Sequence, residues 1–144
     1  MLTKVNLESS VPVYEQIENA VQFGIASGRL KSGGVLPSVR AMTEALGVNP
    51  NTVAKAYRDL VVMGYIQTRR GEGCYVTEGS QTKCRVECRR RIIARLHEVV
   101  SEAKAAGMTE KEIGGVLQAC LASECEPYGS VPATLLTVPK AKKR

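Results

Sequence analysis

Two short polar clusters hold the residues of this chain best suited to act on another molecule. The first is Asn49-Pro50-Asn51-Thr52, followed by Lys55. Amide and hydroxyl side chains at the start of a helix can bond base edges in a major groove, while the helix N–H groups and dipole face phosphate. The same residue types also cap helices that touch nothing, so the turn alone leaves a plain solvated face open. The second cluster is Arg69-Arg70-Gly71-Glu72-Gly73. Two guanidinium groups on a glycine-rich tip can approach a sugar-phosphate backbone or enter a minor groove, and the same run can equally be a solvated hairpin tip. Catalysis has no comparable candidate. No nucleophile–base pair, phosphate loop or metal triad is evident, and the single histidine, His97, sits in an apolar helical stretch.

The elements that would position these clusters follow from periodicity. Pro12 is placed in the first turn of a helix, with Tyr14, Ile17, Val21 and Ile25 at helical spacing and Gly28 ending it. The glycine-rich stretch GRLKSGGVLP then reverses the chain. Ser38 is positioned to cap a short helix with Val39, Met42, Ala45 and Leu46 on one face and Gly47 at its end. Asn49 and Pro50 open the next helix, whose inward residues are Val53, Ala56, Tyr57 and Leu60, up to Gly64. Two helices joined through Gly-Val-Asn make a helix-turn-helix. The strand-like runs Tyr65–Thr68 and Cys74–Thr77 flank the arginine tip, giving a β-hairpin wing. A wing directly after a helix-turn-helix favours the nucleic-acid reading of both clusters.

After Thr77, Glu78-Gly-Ser-Gln-Thr82 reads as a linker. A long helix follows with Val86, Ile92, Ile93, Leu96, Val99, Val100 and Ala103 as a wide apolar stripe. Gly107 ends it, and Thr109 with Glu112 forms a capping box for another helix carrying Ile113, Val116, Leu117, Cys120 and Leu121. Two tandem amphipathic helices cannot cover both stripes by folding on each other, so a second copy of the pair or the winged helix must cover what remains, and the second copy is the economical partner. The expected fold class is therefore mostly α with a small β-hairpin. Its expected domains are a winged helix-turn-helix over 1–79, a two-helix dimerisation segment over 80–126 and a loosely ordered basic tail over 127–144.

At 144 residues the chain has no room for a large catalytic domain, and 44% hydrophobic with 24% charged residues suits a folded chain. The net charge of +6 is uneven. Residues 1–79 carry eight Lys/Arg and seven Asp/Glu, or +1, whereas residues 80–144 carry twelve and seven, or +5. Contact with DNA must therefore be argued from a few placed residues rather than from bulk charge. The run Arg89-Arg90-Arg91, with Arg85 and Arg95, reads as the solvated back of a helix. No stretch is apolar enough to span a membrane, and MLTKVNLESS lacks a signal-peptide core, so the cytoplasm is the expected compartment. Cys74, Cys84, Cys88, Cys120 and Cys125 are an odd set without CxxC spacing, read as reduced thiols. Neither a metal nor a cofactor is expected, although a thiol- or metal-responsive switch remains the alternative reading.

Four blocks in order, PVYEQI (12–17), LPSVRAM (36–42), LGVNPNTVAKAYRDL (46–60) and GYIQTRRGEGCYV (64–76), resemble the winged-helix domain of GntR-type regulators. The short helical C-terminal segment looks like that of the YtrA-like subfamily, which typically represses operons for ATP-binding-cassette transporters. The resemblance implies a transcriptional regulator, not an enzyme, binding double-stranded operator DNA through Arg40, Asn49, Pro50, Asn51, Thr52, Lys55, Arg69, Arg70 and Gly71. For Arg40, an ion pair with Glu44 at i+4 stands beside that role. A homodimer held by Ile92, Leu96, Val99, Val100, Ile113, Val116, Leu117 and Leu121 would present two such domains to an inverted repeat. A small-molecule effector has no marked pocket in the sequence.

Overall fold

The computed structural model describes residues 5–123. Its elements are α1 (Val13–Ala26), α2 (Val39–Leu46), α3 (Pro50–Val62), β1 (Ile66–Arg69), β2 (Gly73–Val76), α4 (Ser80–Ala105) and α5 (Glu110–Ala122). Mostly helical with one small antiparallel sheet, this is the expected fold class. The chain divides into two compact units after Arg85. The basic tail 127–144 and Cys125 lie outside the described residues.

The first unit closes around one core. Ile17, Val21 and Ile25 of α1 meet Met42 of α2, Val53, Ala56, Tyr57 and Leu60 of α3, and Ile66 and Val76 of the hairpin. Burying such side chains stabilises by roughly 1.5–3 kcal/mol each before conformational entropy is counted. The buried Tyr57 hydroxyl donates to the Pro37 carbonyl at 2.6 Å, so the ring fills the core without stranding its polar atom. Burial pushes the Tyr57 phenol pKa well above its usual range. Ala45, expected on the buried face of α2, is exposed instead: the helix has only eight residues and meets the core chiefly through Met42. Pro12 occupies the N-cap of α1, one step earlier than the first helical turn.

The hairpin pairs Ile66 with Val76 and Arg69 with Gly73. Its outer edge is paired too, which periodicity did not foresee. The Gly33 N–H donates to Val76 O and the Leu36 N–H to Cys74 O, both at 2.9 Å, and Val35 bridges Tyr75. The glycine-rich stretch thus bridges the outer edge of β2 as well as reversing the chain, leaving β2 bonded on both sides.

The expected linker over 78–82 is corrected in part, since α4 begins at Ser80. The Ser80 hydroxyl is buried and donates to Tyr65 O at 3.0 Å, Thr77 bonds the Ser80 hydroxyl and Gly64 O, and Cys84 is fully buried in the first core. These buried anchors hold the first turns of α4 as part of the first unit. Arg85 adds a hydrogen bond from Nε to Ala26 O at 2.9 Å.

In the second unit, α4 continues to Ala105 and α5 starts at a capping box. Thr109 Oγ1 accepts from the Glu112 N–H at 3.2 Å, and Glu112 Oε2 accepts from the Thr109 N–H at 3.0 Å. Lys104 reaches Glu110 at 3.6 Å. The local signals for α5 are thus satisfied, yet none of its residues is buried. Among the described residues no helix is long and apolar enough to cross a membrane.

Candidate nucleic-acid interface

Tight local chemistry sets the geometry of the helix-turn-helix. Ser38 Oγ accepts from the Ala41 N–H at 3.0 Å to open α2. Gly47 closes it at φ 64°, a left-handed conformation in which a Cβ would be strained. Two residues later, Asn49 Oδ1 accepts from the Asn51 N–H at 2.8 Å, and Pro50 takes the first helical position. Asn49, Pro50 and Asn51 are exposed and Thr52 is half-buried. The first turn of α3 therefore presents short polar groups and the positive end of a helix to solvent, which suits a phosphate-flanked groove.

Arg40 stands on the adjoining helix with its side chain 89% exposed, its Nε 3.1 Å from Glu44 Oε1. The pair lies in water, is screened by salt and can open at little cost, so Arg40 stays available to a stronger anion.

Lys55 differs from its neighbours. It leaves the free face of α3 and turns toward α1, with Nζ 2.8 Å from Asp59 Oδ2 and 4.3 Å from the centre of the Tyr14 ring. Behind this contact lies Glu18, only 8% exposed, its carboxyl raised to a pKa of about 7, first by burial and then by the neighbouring Asp59. The Asp59 carboxyl is held below its usual value by Lys55 and Glu18, and the Lys55 ammonium is pushed up by Asp59. Glu18 and Asp59 were not among the residues singled out from the sequence, and Tyr14 was read there only as a core position. Asp59 at i+4 from Lys55 was a readable signal. So was Glu18, a charged residue inside the apolar stripe of Tyr14, Ile17, Val21 and Ile25.

At the wing, Gly71 at φ 80° and Gly73 at φ 96° let the chain turn between β1 and β2. Arg69 and Arg70 separate in environment. The Arg69 guanidinium lies 4.9 Å from the centre of the Tyr75 ring and 3.8 Å from Glu72, so it is held flat on the hairpin. Among the described residues, no ion pair or hydrogen bond engages the Arg70 side chain, which projects from the exposed tip. The structure thus groups Arg40 with Asn49, Pro50, Asn51 and Thr52 on the helix-turn-helix, sets Arg69, Arg70 and Gly71 on the wing of the same unit, and leans Lys55 onto Tyr14 of α1 with its side chain still 45% exposed.

Of the residues expected to join two copies, Ile92, Leu96, Val99, Val116, Leu117 and Leu121 are exposed, and Val100 and Ile113 are half-buried. Cys84 and Cys88 are buried, Cys74 is half-buried and Cys120 is exposed. Among the described residues no group of three or more His, Cys, Asp or Glu could hold a metal.

Comparison with known proteins agrees with this geometry. Residues 13–76 match the profile of the bacterial regulatory proteins of the gntR family. The HTH-type transcriptional repressor YtrA of Bacillus subtilis is 37% identical over 108 residues, which span 74% of this chain and 82% of that protein. A GntR family transcriptional regulator from Listeria monocytogenes superposes with a TM-score of 0.63 at 31% identity, covering 78% of this chain and 98% of its own. A transcriptional regulator from Oenococcus oeni gives 0.61 at 29% identity, covering 82% and 98%.

Proposed function

The chain belongs to the GntR family of bacterial regulatory proteins and is a DNA-binding transcriptional regulator rather than an enzyme, and on that premise we propose that it works as a cytoplasmic homodimeric repressor of an inverted-repeat operator. Each copy would set the first turn of α3 in a major groove and the Arg70 tip in the adjacent minor groove, with Arg40 and Arg69 on bases or backbone nearby. Asn49, Pro50, Asn51 and Thr52 would line the groove-facing turn, and Gly71 would let the wing come close. The α4–α5 stripe of each copy would cover that of the other.

The observation that carries the dimeric reading is the apolar face of α5, where Leu121 is 74% exposed and no residue is buried. A soluble chain rarely leaves such a face open, and a two-fold partner covers it with an identical patch. Dimerisation also serves specificity, since one winged helix reads one half-site and two give a longer address.

The test is selection from a random duplex pool, with affinity for the recovered sequence followed against salt. An inverted repeat with a steep salt slope is the expected outcome, reflecting several displaced phosphate counterions. Recovery of a lone half-site, bound by one chain at full affinity, would overturn the dimeric operator. Transcription in vitro from a promoter carrying the repeat should fall on adding the chain, and a rise would replace repression by activation.

A further inference from the structure

We propose that Glu18 and Asp59 form a proton-holding carboxylate pair that sets how firmly Lys55 is retained against α1, and so couples operator affinity to proton uptake. The proposal rests on the DNA-binding reading of the α3 surface and goes beyond it by naming a control on that surface. Its basis is the packing of α1 against α3. Glu18 lies on the inward face of α1, almost wholly buried, with Oε1 lacking any hydrogen-bond partner among the described residues. A bare carboxylate is costly in such a place, and holding a proton relieves that cost.

The charges then count simply. With Glu18 protonated, the Asp59 carboxylate is matched by Lys55 at 2.8 Å, whose ammonium also rests over the Tyr14 ring. With Glu18 ionised, two carboxylates face one ammonium. The other charged groups acting on the pair are Glu15 of α1, which favours the proton on Glu18, and Arg58 of α3, which favours the ionised form of Asp59. To meet a phosphate, Lys55 must leave Asp59 and Tyr14. That departure is harder when a second carboxylate is charged, and the added negative charge also opposes an approaching polyanion. Conversely, a phosphate that draws Lys55 away strips the pair of its cation and raises its hold on the proton. Linkage makes the two effects one: DNA binding takes up a proton, and loss of the proton weakens binding. Titration of Glu18 at about 7 puts this exchange in the neutral range.

The experiment measures affinity of the full chain for the duplex recovered by selection, at pH 6 and pH 8 and fixed ionic strength, for the wild type and Glu18→Gln. The wild type should weaken roughly fivefold or more between the two values, the low end of common coupling strengths. Glu18→Gln, which keeps the side-chain size but cannot ionise, should bind at both values as the wild type does at pH 6. Calorimetry in buffers of different ionisation heat should show proton uptake on binding by the wild type and less by the variant. Wild-type affinity that does not change with pH, or a Glu18→Gln variant with the wild-type pH slope, would overturn the coupling while leaving DNA binding intact. Absence of binding to any duplex at either pH would overturn the DNA-binding reading and the proposal with it.

Discussion

Helices α3 and α5 are each thirteen residues long and each opens with a side-chain cap, but one buries Val53, Ala56, Tyr57 and Leu60 while the other buries nothing. The difference is not one of local signal. Helix α5 has the more complete cap, a reciprocal Thr109–Glu112 box, and it carries Ile113, Val116, Leu117 and Leu121 at helical spacing. What α3 has and α5 lacks is a partner surface within its own unit, supplied by α1, α2 and the hairpin. Short isolated helices are marginal in water, so α5 depends on burial from elsewhere. The two helices thus divide the work proposed for the chain: α3 is held by its own fold and shows a polar end, and α5 shows an apolar face that a second copy would cover.

The contrast can be broken most strongly at the α3 core. Leu60 is fully buried, and Leu60→Ala should cost about 2–5 kcal/mol of stability in denaturant unfolding, with loss of DNA binding but retained self-association. A second, pH-linked effect belongs to the α3 side alone. Glu18 in the folded chain releases its proton at about 7, against an ordinary value of 4.5. The folded state therefore binds more protons between these values. The stability contributed by this proton is fully present below about 4.5 and is lost as pH rises through about 7, a fall on the order of 2–3 kcal/mol in unfolding experiments. Asp59 acts in the opposite sense at lower pH, its contribution disappearing as pH falls through its depressed value. Glu18→Gln should flatten the neutral-range slope.

Arg40→Ala sharpens the comparison from the DNA side. It should weaken specific binding by about 1–3 kcal/mol if Arg40 reads a base, with folding and association unchanged, as judged by titrating the selected duplex. On the α5 side, Leu121→Ala should leave first-unit stability within about 0.5 kcal/mol, because its side chain is exposed in the single chain. The same substitution should weaken dimerisation about tenfold, some 1.4 kcal/mol, in sedimentation equilibrium. The smallest effect is expected from Gly114→Ala. A Cβ there meets nothing within 4 Å in the single chain, so α5 should gain roughly 0.5–1 kcal/mol of helix stability, visible as higher helical signal in dilute protein.

The fold was legible where local chemistry and burial agree. Ser38, Gly47, Asn49 and Pro50 mark the helix-turn-helix by residue type, and each sits where its type predicts. Less legible were features made by contacts distant in sequence. The bridging of 33–36 to β2 is invisible in a glycine-rich run, because its partners Cys74, Tyr75 and Val76 lie some forty residues away. Ser80 reads as linker until Tyr65 O supplies the acceptor that buries it. Within the candidate site, exposure of Asn51 and of the Arg70 tip follows from position on helix and turn, whereas the lean of Lys55 toward α1 depends on Tyr14 from another helix. Glu18 follows Tyr14 by one helical turn on α1, but only the packing of α1 on α3 gives it Asp59 as a neighbour.

The central claim, that a second copy covers the apolar face of α5 and that two copies read one operator, is tested most directly by the mass of the complex. Sedimentation equilibrium of the chain alone and with its selected duplex should give a dimer, then two chains per duplex, and Leu117→Asp with Leu121→Asp should give a monomer with much weaker binding to the repeat. A monomer that binds one duplex per chain with undiminished affinity, unchanged by these two substitutions, would contradict it.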